Sequence, residues 1–138
     1  MRVSQRLDYT LRSMIALAAL EPGRWIAGGE LADRLGMPRR FVEQQLTAMS
    51  KRGLVRCHRG AGGGCSLARP AEAISLGQVV RAVQGTVLDV PHASGSAASE
   101  VWGRVADGLA ASMDAVSLAS LAARQRELDE MSDLIYHI

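Results

Sequence analysis

The sequence predicts a mainly α-helical fold with one small β-hairpin. Apolar residues recur at helical spacing along most of the 138-residue chain. Two of the helices that this spacing predicts are separated only by a short turn that contains glycine. A glycine-rich loop then joins two strand-like segments, after which the helical spacing resumes.

The first helix is predicted over Gln5 to Leu20. Ser4 is a suitable N-cap, and Pro22-Gly23 follows the helix as a stop. One stripe of this helix is apolar and is expected to face the core: Leu7, Leu11, Met14, Ile15 and Ala18.

A pair of helices follows. The segment "GGELADRLG" predicts a helix of about two turns that ends at Gly36, and "MPRRFVEQQLTAMSKRG" predicts a second helix with Pro38 in its first turn and Gly53 at its end. Such a pair is typical of the helix-turn-helix motif, whose second helix enters the major groove of DNA. Many all-helical proteins also contain one, so spacing alone does not decide.

The second helix of the pair has two different faces. Its apolar residues are expected to point inward: Phe41, Val42, Leu46 and Met49. Its polar residues project outward and are the predicted DNA contacts: Arg39, Arg40, Glu43, Gln44 and Thr47. Two arginines at a helix N-terminus oppose the helix dipole unless an anion compensates. The alternative is that Glu43 merely pairs with Arg39 or Arg40.

The segments "LVRCHR" and "CSLAR" predict a hairpin centred on Ala61. Its loop lacks the lysine of a phosphate-binding P-loop, and it is followed by a strand rather than by the helix of a dinucleotide-binding site. After a helix-turn-helix, such a hairpin is a wing. We predict DNA contacts from His58, Arg59, Gly60 and Gly62, with Arg59 suited to a minor groove. The alternative is a flexible solvated turn.

The winged helix-turn-helix domain is expected to cover residues 1–85. Its closing helix is predicted by "ISLGQVVRAVQG", in which Ser75 and Gln78 have capping-box spacing and Gly85 is the stop. Small and polar residues then predict a loop over residues 86–98.

Residues 99–138 are expected to form a helical dimerisation region. One long amphipathic helix is predicted up to Ser117, and a further helix after it. The domain leaves little for this long helix to cover, so its apolar stripe is predicted to pair with a second copy: Val101, Trp102, Val105, Leu109, Met113 and Val116. The alternative is that the helix packs back on its own domain.

Charge is divided unevenly along the chain. Residues 1–85 carry a net charge of +7 and residues 86–138 a net charge of −5, so the first part suits a polyanion such as DNA. No apolar run is long enough to span a membrane, and Asp8 and Arg12 lie where a signal peptide would be apolar. We therefore expect a cytoplasmic protein with no membrane partner.

Five segments of the chain resemble a known family. The segments "DYTLR", "LADRLGMPRRFVEQQLTAMSKRGLVR", "RGAGGG", "LARPAEAISLGQVVRAVQG" and "EVW" are similar, in order and spacing, to the Rrf family of bacterial winged-helix regulators. That family includes the iron-sulfur-cluster regulator, the nitric-oxide-sensitive repressor and the cysteine-metabolism repressor. The resemblance is close over residues 1–85 and looser over 99–120.

The resemblance implies a homodimer on a palindromic operator, with a recognition helix in each major groove and wings in flanking minor grooves. The base-reading positions of the family fall on Arg40 and Glu43, and its wing arginine on Arg59. Glutamate can accept from cytosine N4, and arginine can donate to guanine or phosphate.

The chain also departs from that family. Cluster-binding members carry three cysteines in the loop before the dimerisation helix, whereas residues 86–98 contain none and offer only His92. Arg12 is a permanent cation and a poor ligand. We therefore predict no cofactor and no metal, and no cluster held by the usual ligands of the family.

Cys57 and Cys65 are the only cysteines, and they lie symmetrically about Ala61. A regular hairpin would set them nearly opposite each other, which makes them a candidate redox pair. The alternatives are two small buried thiols in a reducing cytosol, or a register slip that separates them.

These observations predict a sequence-specific DNA-binding transcription regulator, a homodimer that acts as a repressor. No catalytic set of residues favours an enzyme, and an effector, either a small molecule or a protein, stays unidentified. The alternative is a protein-interaction module that docks a metabolic enzyme, with DNA binding secondary. Salt-dependent binding to duplex DNA separates the two.

Overall fold

A computed structural model describes residues 2–136 and confirms the predicted fold class. Within these residues the chain forms six α-helices, one 3-10 turn and a two-stranded antiparallel sheet. In chain order they are α1 (Gln5–Ala18), α2 (Gly28–Leu35), α3 (Arg39–Lys51), β1 (Val55–His58), β2 (Gly64–Leu67), the 3-10 turn (Ala71–Ala73), α4 (Leu76–Gln84), α5 (Ala97–Asp114) and α6 (Leu118–Tyr136).

One hydrophobic core joins five of the six described helices, all except α5, with the hairpin. Its fully buried side chains come from α1, α2, α3, α4, α6 and the segment before α4, and include Met14, Leu31, Val42, Met49, Ile74, Val79 and Leu118. Two hydroxyl groups of α1 are also buried, but both are hydrogen-bonded: Thr10 donates to the Arg6 carbonyl (2.7 Å) and Ser13 to the Tyr9 carbonyl (2.9 Å). They therefore carry no desolvation penalty for an unpaired group.

The predicted helix caps of α1 and α4 are present. The Ser4 side chain accepts from the Leu7 N–H at 3.1 Å. At α4, the Ser75 hydroxyl accepts from the Gln78 N–H (3.1 Å) while the Gln78 side chain accepts from the Ser75 N–H (3.0 Å), and Gly85 ends the helix with φ +86°. Both helices therefore start where the sequence predicted.

The last helix begins inside the same core. The helical path is interrupted between α5 and α6 at Ser117, as predicted. The Ser117 hydroxyl accepts from the Ser120 N–H. Leu118 follows, is fully buried, and donates its N–H to the Ile74 carbonyl at 2.9 Å. The first turns of α6 are thus fixed to the winged part of the chain, whereas its later residues are exposed.

Some boundaries differ from the predicted ones. The helix α1 ends at Ala18, two residues early, and α5 begins at Ala97 because the Ser96 side chain accepts from the Ser99 N–H and caps it there. The division into segments 1–85, 86–98 and 99–138 stays a prediction. Among residues 2–136, no helix has both the length and the apolar composition to cross a membrane.

Candidate nucleic-acid interface

A three-residue turn sets the direction of α3. Gly36 takes the left-handed conformation (φ +66°) that glycine adopts without strain. Met37 then buries its side chain and donates its N–H to the Ala32 carbonyl (2.9 Å), and Pro38 precedes the first residue of α3. As predicted, α3 turns its apolar side inward, with Val42, Leu46 and Met49 buried and Phe41 half-buried.

The five polar residues that were predicted to contact DNA from α3 are all exposed: Arg39, Arg40, Glu43, Gln44 and Thr47. The Thr47 hydroxyl donates to the Glu43 carbonyl at 2.9 Å. This bond orients the hydroxyl along the helix and leaves its oxygen able to accept another hydrogen bond. Exposure makes these side chains available, and their contact with DNA stays a prediction.

The two arginines at the start of α3 differ in their partners. Arg39 pairs with Asp33 of α2 through two hydrogen bonds, one of them at 3.0 Å from Nε to Oδ1. This hydrogen-bonded pairing lowers the pKa of the Asp33 carboxyl and raises the pKa of the Arg39 guanidinium. Arg40 forms no ion pair within the described residues, and neither arginine is paired with Glu43 there.

The hairpin has the predicted register. Strand β1 pairs with β2 so that Cys57 lies opposite Cys65 and His58 opposite Gly64, which centres the hairpin on Ala61. The tip is a tight turn in which the Gly63 N–H donates to the Gly60 carbonyl at 2.9 Å.

Gly60 (φ +94°) and Gly62 (φ +75°) both take positive φ values in that turn. These two glycines, which were predicted to contact DNA, are therefore required first by the turn itself. Arg59 is exposed beside them.

Sequence reasoning missed the residues that hold the wing in position. The Trp25 ring stacks on the His58 ring, and its Nε1 donates to the Gly62 carbonyl at 2.7 Å. His58 is therefore half-buried against Trp25 rather than fully free at the surface. The one available signal was a tryptophan in the "EPGRW" connection, a residue type that rarely lies in a loop without a partner surface.

The adjacent residue fixes the base of the wing. Ile26 exchanges two backbone hydrogen bonds with Cys65, at 2.8 and 3.0 Å. Gly64 permits this approach, because a Cβ atom on it would lie 2.5 Å from the Ile26 carbonyl carbon and oxygen. The hairpin is thus held by backbone bonds as well as by the Trp25 contacts.

The same short connection also touches α3. Gly28 begins α2, and a Cβ atom on it would lie 3.0 Å from Cγ of Glu43 in α3. Residues 25–28 therefore contact the wing at one end and the exposed face of α3 at the other. This connector links the two elements that carry the predicted DNA contacts.

The six residues predicted to form a dimer fall into two groups. Val101, Trp102 and Val105, in the first half of α5, are 41–48% exposed, so no described part of their own chain covers them. Leu109, Met113 and Val116 are half-buried, and the first two line a cavity together with Leu7 and Val80. The second half of α5 thus packs toward its own winged domain, held there by the Arg81–Asp114 ion pair (2.8 and 3.0 Å).

The two thiols differ in environment. Cys65 is buried and Cys57 is exposed, so the expectation of two buried thiols is wrong for Cys57. No register slip separates them, and their Sγ atoms are 2.7 Å apart.

Comparison with known proteins gives consistent matches. Residues 3–124 match the Rrf2 family model, described as an iron-dependent transcriptional regulator. The chain is 31% identical over 131 residues to Rv1287, a predicted HTH-type transcriptional regulator of Mycobacterium tuberculosis, covering 88% of this chain and 81% of that protein.

Two solved structures are similar along most of the chain. CymR, the global cysteine regulator of B. subtilis, has a TM-score of 0.80 at 27% identity over 90% of this chain and 98% of its own. IscR of T. potens has a TM-score of 0.78 at 28% identity over 93% of this chain and 90% of its own.

The matched family is described as iron-dependent, and iron or an iron-sulfur cluster is bound by cysteine, histidine or carboxylate side chains. The loop over residues 86–98 has no cysteine, and its His92 is exposed. Within residues 2–136, no three histidine, cysteine or acidic side chains come together as a metal site. The two thiols lie in the wing instead. This loop therefore cannot supply the thiolates that a cluster bound in the usual manner of the family needs.

Proposed function

Because the chain belongs to the Rrf2 family of transcriptional regulators, we propose that it is a sequence-specific DNA-binding regulator that acts as a homodimer in the cytoplasm and represses transcription. Catalysis has no part in this proposal. The binding of duplex DNA accounts for the positive charge of residues 1–85.

The observation that carries the proposal is the shared connector. Residues 25–28 contact the wing through Trp25 and Ile26, and α3 through Gly28. A duplex that receives α3 in its major groove is expected to meet the wing at the adjacent backbone or minor groove, because residues 25–28 contact both elements.

Each exposed side chain has a role in this arrangement. Arg40 carries a guanidinium without a carboxylate partner among the described residues and is suited to guanine. Glu43 can accept from cytosine, and Gln44 and Thr47 extend the same exposed face.

The other residues that we predict at the interface contact the phosphate backbone or the minor groove of the duplex, or support the wing that does so. Arg39 leaves Asp33 for a phosphate, and Arg59 enters the minor groove from the wing tip. His58 supports the wing through Trp25, while Gly60 and Gly62 let the turn approach the backbone closely.

The proposed dimer forms through the exposed part of α5. Val101, Trp102 and Val105 leave a contiguous apolar surface at one end of a helix whose other half already packs on its own chain. Pairing with the same surface of a second copy removes it from water and sets two α3 helices on one palindromic site, about 34–36 Å apart.

Repression follows from occupancy in this proposal. A dimer seated on a promoter excludes other proteins from the same DNA. An effector, either a small molecule or a protein, then changes the fraction of dimer bound to DNA.

The test begins with selection of bound sites from random duplex DNA. Affinity for the selected site is then measured by fluorescence anisotropy between about 50 and 200 mM salt. With about six phosphate contacts, log affinity should fall against log salt with a slope near −5. Sedimentation of the complex should give two chains per site, and in vitro transcription from a promoter that carries the site should fall on adding the protein.

A matched variant sharpens this test. Arg59→Ala should make the slope of log affinity against log salt less negative by about one. The base sequence selected outside the groove that Arg59 enters should stay the same. A flat salt response, combined with tight binding to a metabolic enzyme, would instead favour the protein-interaction module.

A further inference from the structure

The wing contains a pair of thiols that the DNA-binding proposal does not use. Cys57 on β1 and Cys65 on β2 are direct cross-strand partners with their Sγ atoms 2.7 Å apart. A disulfide bond is about 2.04 Å long, so the two sulfur atoms need to move by less than about 1 Å to form one.

The backbone around the pair has the right hydrogen-bond pattern. Both polar backbone groups of Cys65 bond to Ile26, and they therefore point away from β1. Cys57 and Cys65 are thus a non-hydrogen-bonded pair, in which opposed Cα atoms lie about 4.5 Å apart. That spacing falls within the range of about 4.4–6.8 Å that disulfides require, so the strands need not separate or shift.

The two thiols also differ in their exposure to solvent, and burial changes the acidity of Cys65. Cys57 is exposed and can meet a solvent-borne oxidant, whereas Cys65 is 8% exposed and packs with the core. Burial, helped by the hydrogen bond with Cys57 and the negative charge that Cys57 can carry, raises the pKa of the Cys65 thiol to about 12. Cys65 is therefore protonated at neutral pH and protected from direct oxidation, since the thiolate is the reactive form.

We propose that Cys57 and Cys65 form a reversible dithiol–disulfide site in the wing, oxidised by hydroperoxides, with Cys57 as the attacking thiol and Cys65 as the resolving one. This assignment does not depend on whether the wing binds DNA.

The chemistry takes two steps. In the first, the Cys57 thiolate attacks a peroxide oxygen. An S–O bond forms, the O–O bond breaks, and the released hydroxide or alkoxide takes a proton to leave as water or alcohol. In the second, the Cys65 thiol gives its proton to the sulfenic hydroxyl oxygen of Cys57 as its sulfur, now thiolate in character, attacks the Cys57 sulfur. The S–S bond forms, the S–O bond breaks, and the Cys65 proton leaves with the hydroxyl group as water. Two electrons in total pass from the thiols to the peroxide.

The disulfide would close a ring around the wing tip. Residues 58–64, which include the turn with Gly60 and Gly62, lie between the two cysteines. The bond would therefore lock the observed strand register immediately below Arg59, and reduction would restore the freedom of the tip.

The experiment uses the full-length protein, reduced and then treated with hydrogen peroxide under native conditions. Remaining thiols are alkylated after denaturation, and the protein is analysed by intact mass and by peptide mapping. We expect both cysteines to become resistant to alkylation, a loss of two hydrogen atoms in mass, one linked peptide that joins Cys57 to Cys65, and full reversal by dithiothreitol. Two thiols that stay alkylatable, or a link between chains on a nonreducing gel, would overturn the proposal.

Two single variants test the assigned roles. In Cys65→Ala, peroxide should leave a sulfenic acid on Cys57 that dimedone traps. In Cys57→Ser, a change at an exposed position, Cys65 should stay alkylatable after the same treatment. Equal oxidation of Cys65 with and without Cys57 would contradict the attacking role of Cys57, and this second variant does not require a change in the core.

Discussion

The indole ring of Trp25 stacks on the imidazole ring of His58, with centroids 4.2 Å apart and an interplanar angle of 26°. Trp25 lies before α2 and His58 at the end of β1, so the contact ties the connector to the wing. The Nε1 of Trp25 also donates to the Gly62 carbonyl in the turn at the wing tip. One side chain thus contacts both the strand and the tip of the wing, and this contact holds the wing relative to the helix pair.

Replacing Trp25 with alanine should weaken operator binding more than it weakens the fold. Trp25 is 45% exposed, so its loss removes little core, but the wing loses its stacking partner and a hydrogen bond. An aromatic pair contributes about 0.5–1.5 kcal/mol, so affinity should fall by about two- to tenfold. Anisotropy titration measures the affinity, and thermal unfolding checks the fold.

Trp25→Phe is the matched control for that variant. It keeps a stacking ring but removes the donor to Gly62, so its affinity should lie between those of the parent and Trp25→Ala. Full parental affinity of Trp25→Ala would mean that the wing does not need this support to bind DNA.

Gly64→Ala should destabilise the protein by about 1–3 kcal/mol. Its Cβ atom would lie 2.5 Å from the Ile26 backbone, and backbone atoms cannot move aside as a flexible side chain can. The two Ile26–Cys65 hydrogen bonds should therefore lengthen or break. Thermal unfolding measures the change.

Gly108→Ala supplies the comparison, since nothing lies within 4 Å of its added Cβ on α5. It should raise stability by up to about 1 kcal/mol through helix propensity. Similar stability of the two alanine variants would disprove the close approach at Gly64.

The sequence predicts those elements whose cause is local. The Ser75–Gln78 capping box, the stop at Gly85 and the cross-strand position of the two cysteines depend only on neighbouring residues, and all three are present. The α3 face was equally predictable, because a 3.6-residue period separates its buried side from its exposed side.

Contacts between distant segments could not be predicted in this way. The stacking of Trp25 on His58 and the pairing of Arg39 with Asp33 each join residues from different elements. The apolar period of α5 likewise indicated one face, but not that Met113 turns toward its own domain while Val105 stays exposed. Such partners depend on tertiary packing, and the spacing of apolar residues along one helix does not show which other segment covers them.

Arg40→Ala should reduce affinity for the selected operator by about five- to hundredfold, as expected for loss of a bidentate base contact. Arg39→Ala should cost less, because Arg39 must first leave Asp33. The Arg40 variant should also lose discrimination at one base pair, which a set of single-base operator changes measures. Equal binding of both variants and the parent would show that the N-terminus of α3 does not read DNA.

Asp33→Asn should strengthen DNA binding by less than about fivefold, because it frees Arg39 from an exposed ion pair. The hydrogen bond from Arg39 lowers the pKa of Asp33. The ion pair is therefore fully formed above the ordinary carboxyl pKa of 3.8 and is lost only as pH falls through the lowered value. The gain should consequently be constant between about pH 5 and 8. If anisotropy shows that the gain in DNA affinity varies across that pH range, the release of Arg39 from Asp33 is not its cause.

If the proposed dimer forms through α5, Val105→Glu should convert it into monomers and thereby abolish tight operator binding. Val105 is 41% exposed on α5 beside Val101, and a carboxylate in the centre of a paired apolar surface would be buried without a partner. Sedimentation velocity measures the oligomeric state, and circular dichroism should show an unchanged helix content. The control is Asp107→Lys, about 160° around the same helix, which should stay dimeric. A dimeric Val105→Glu protein that still binds the operator would move the interface to another part of the chain, such as the exposed later turns of α6.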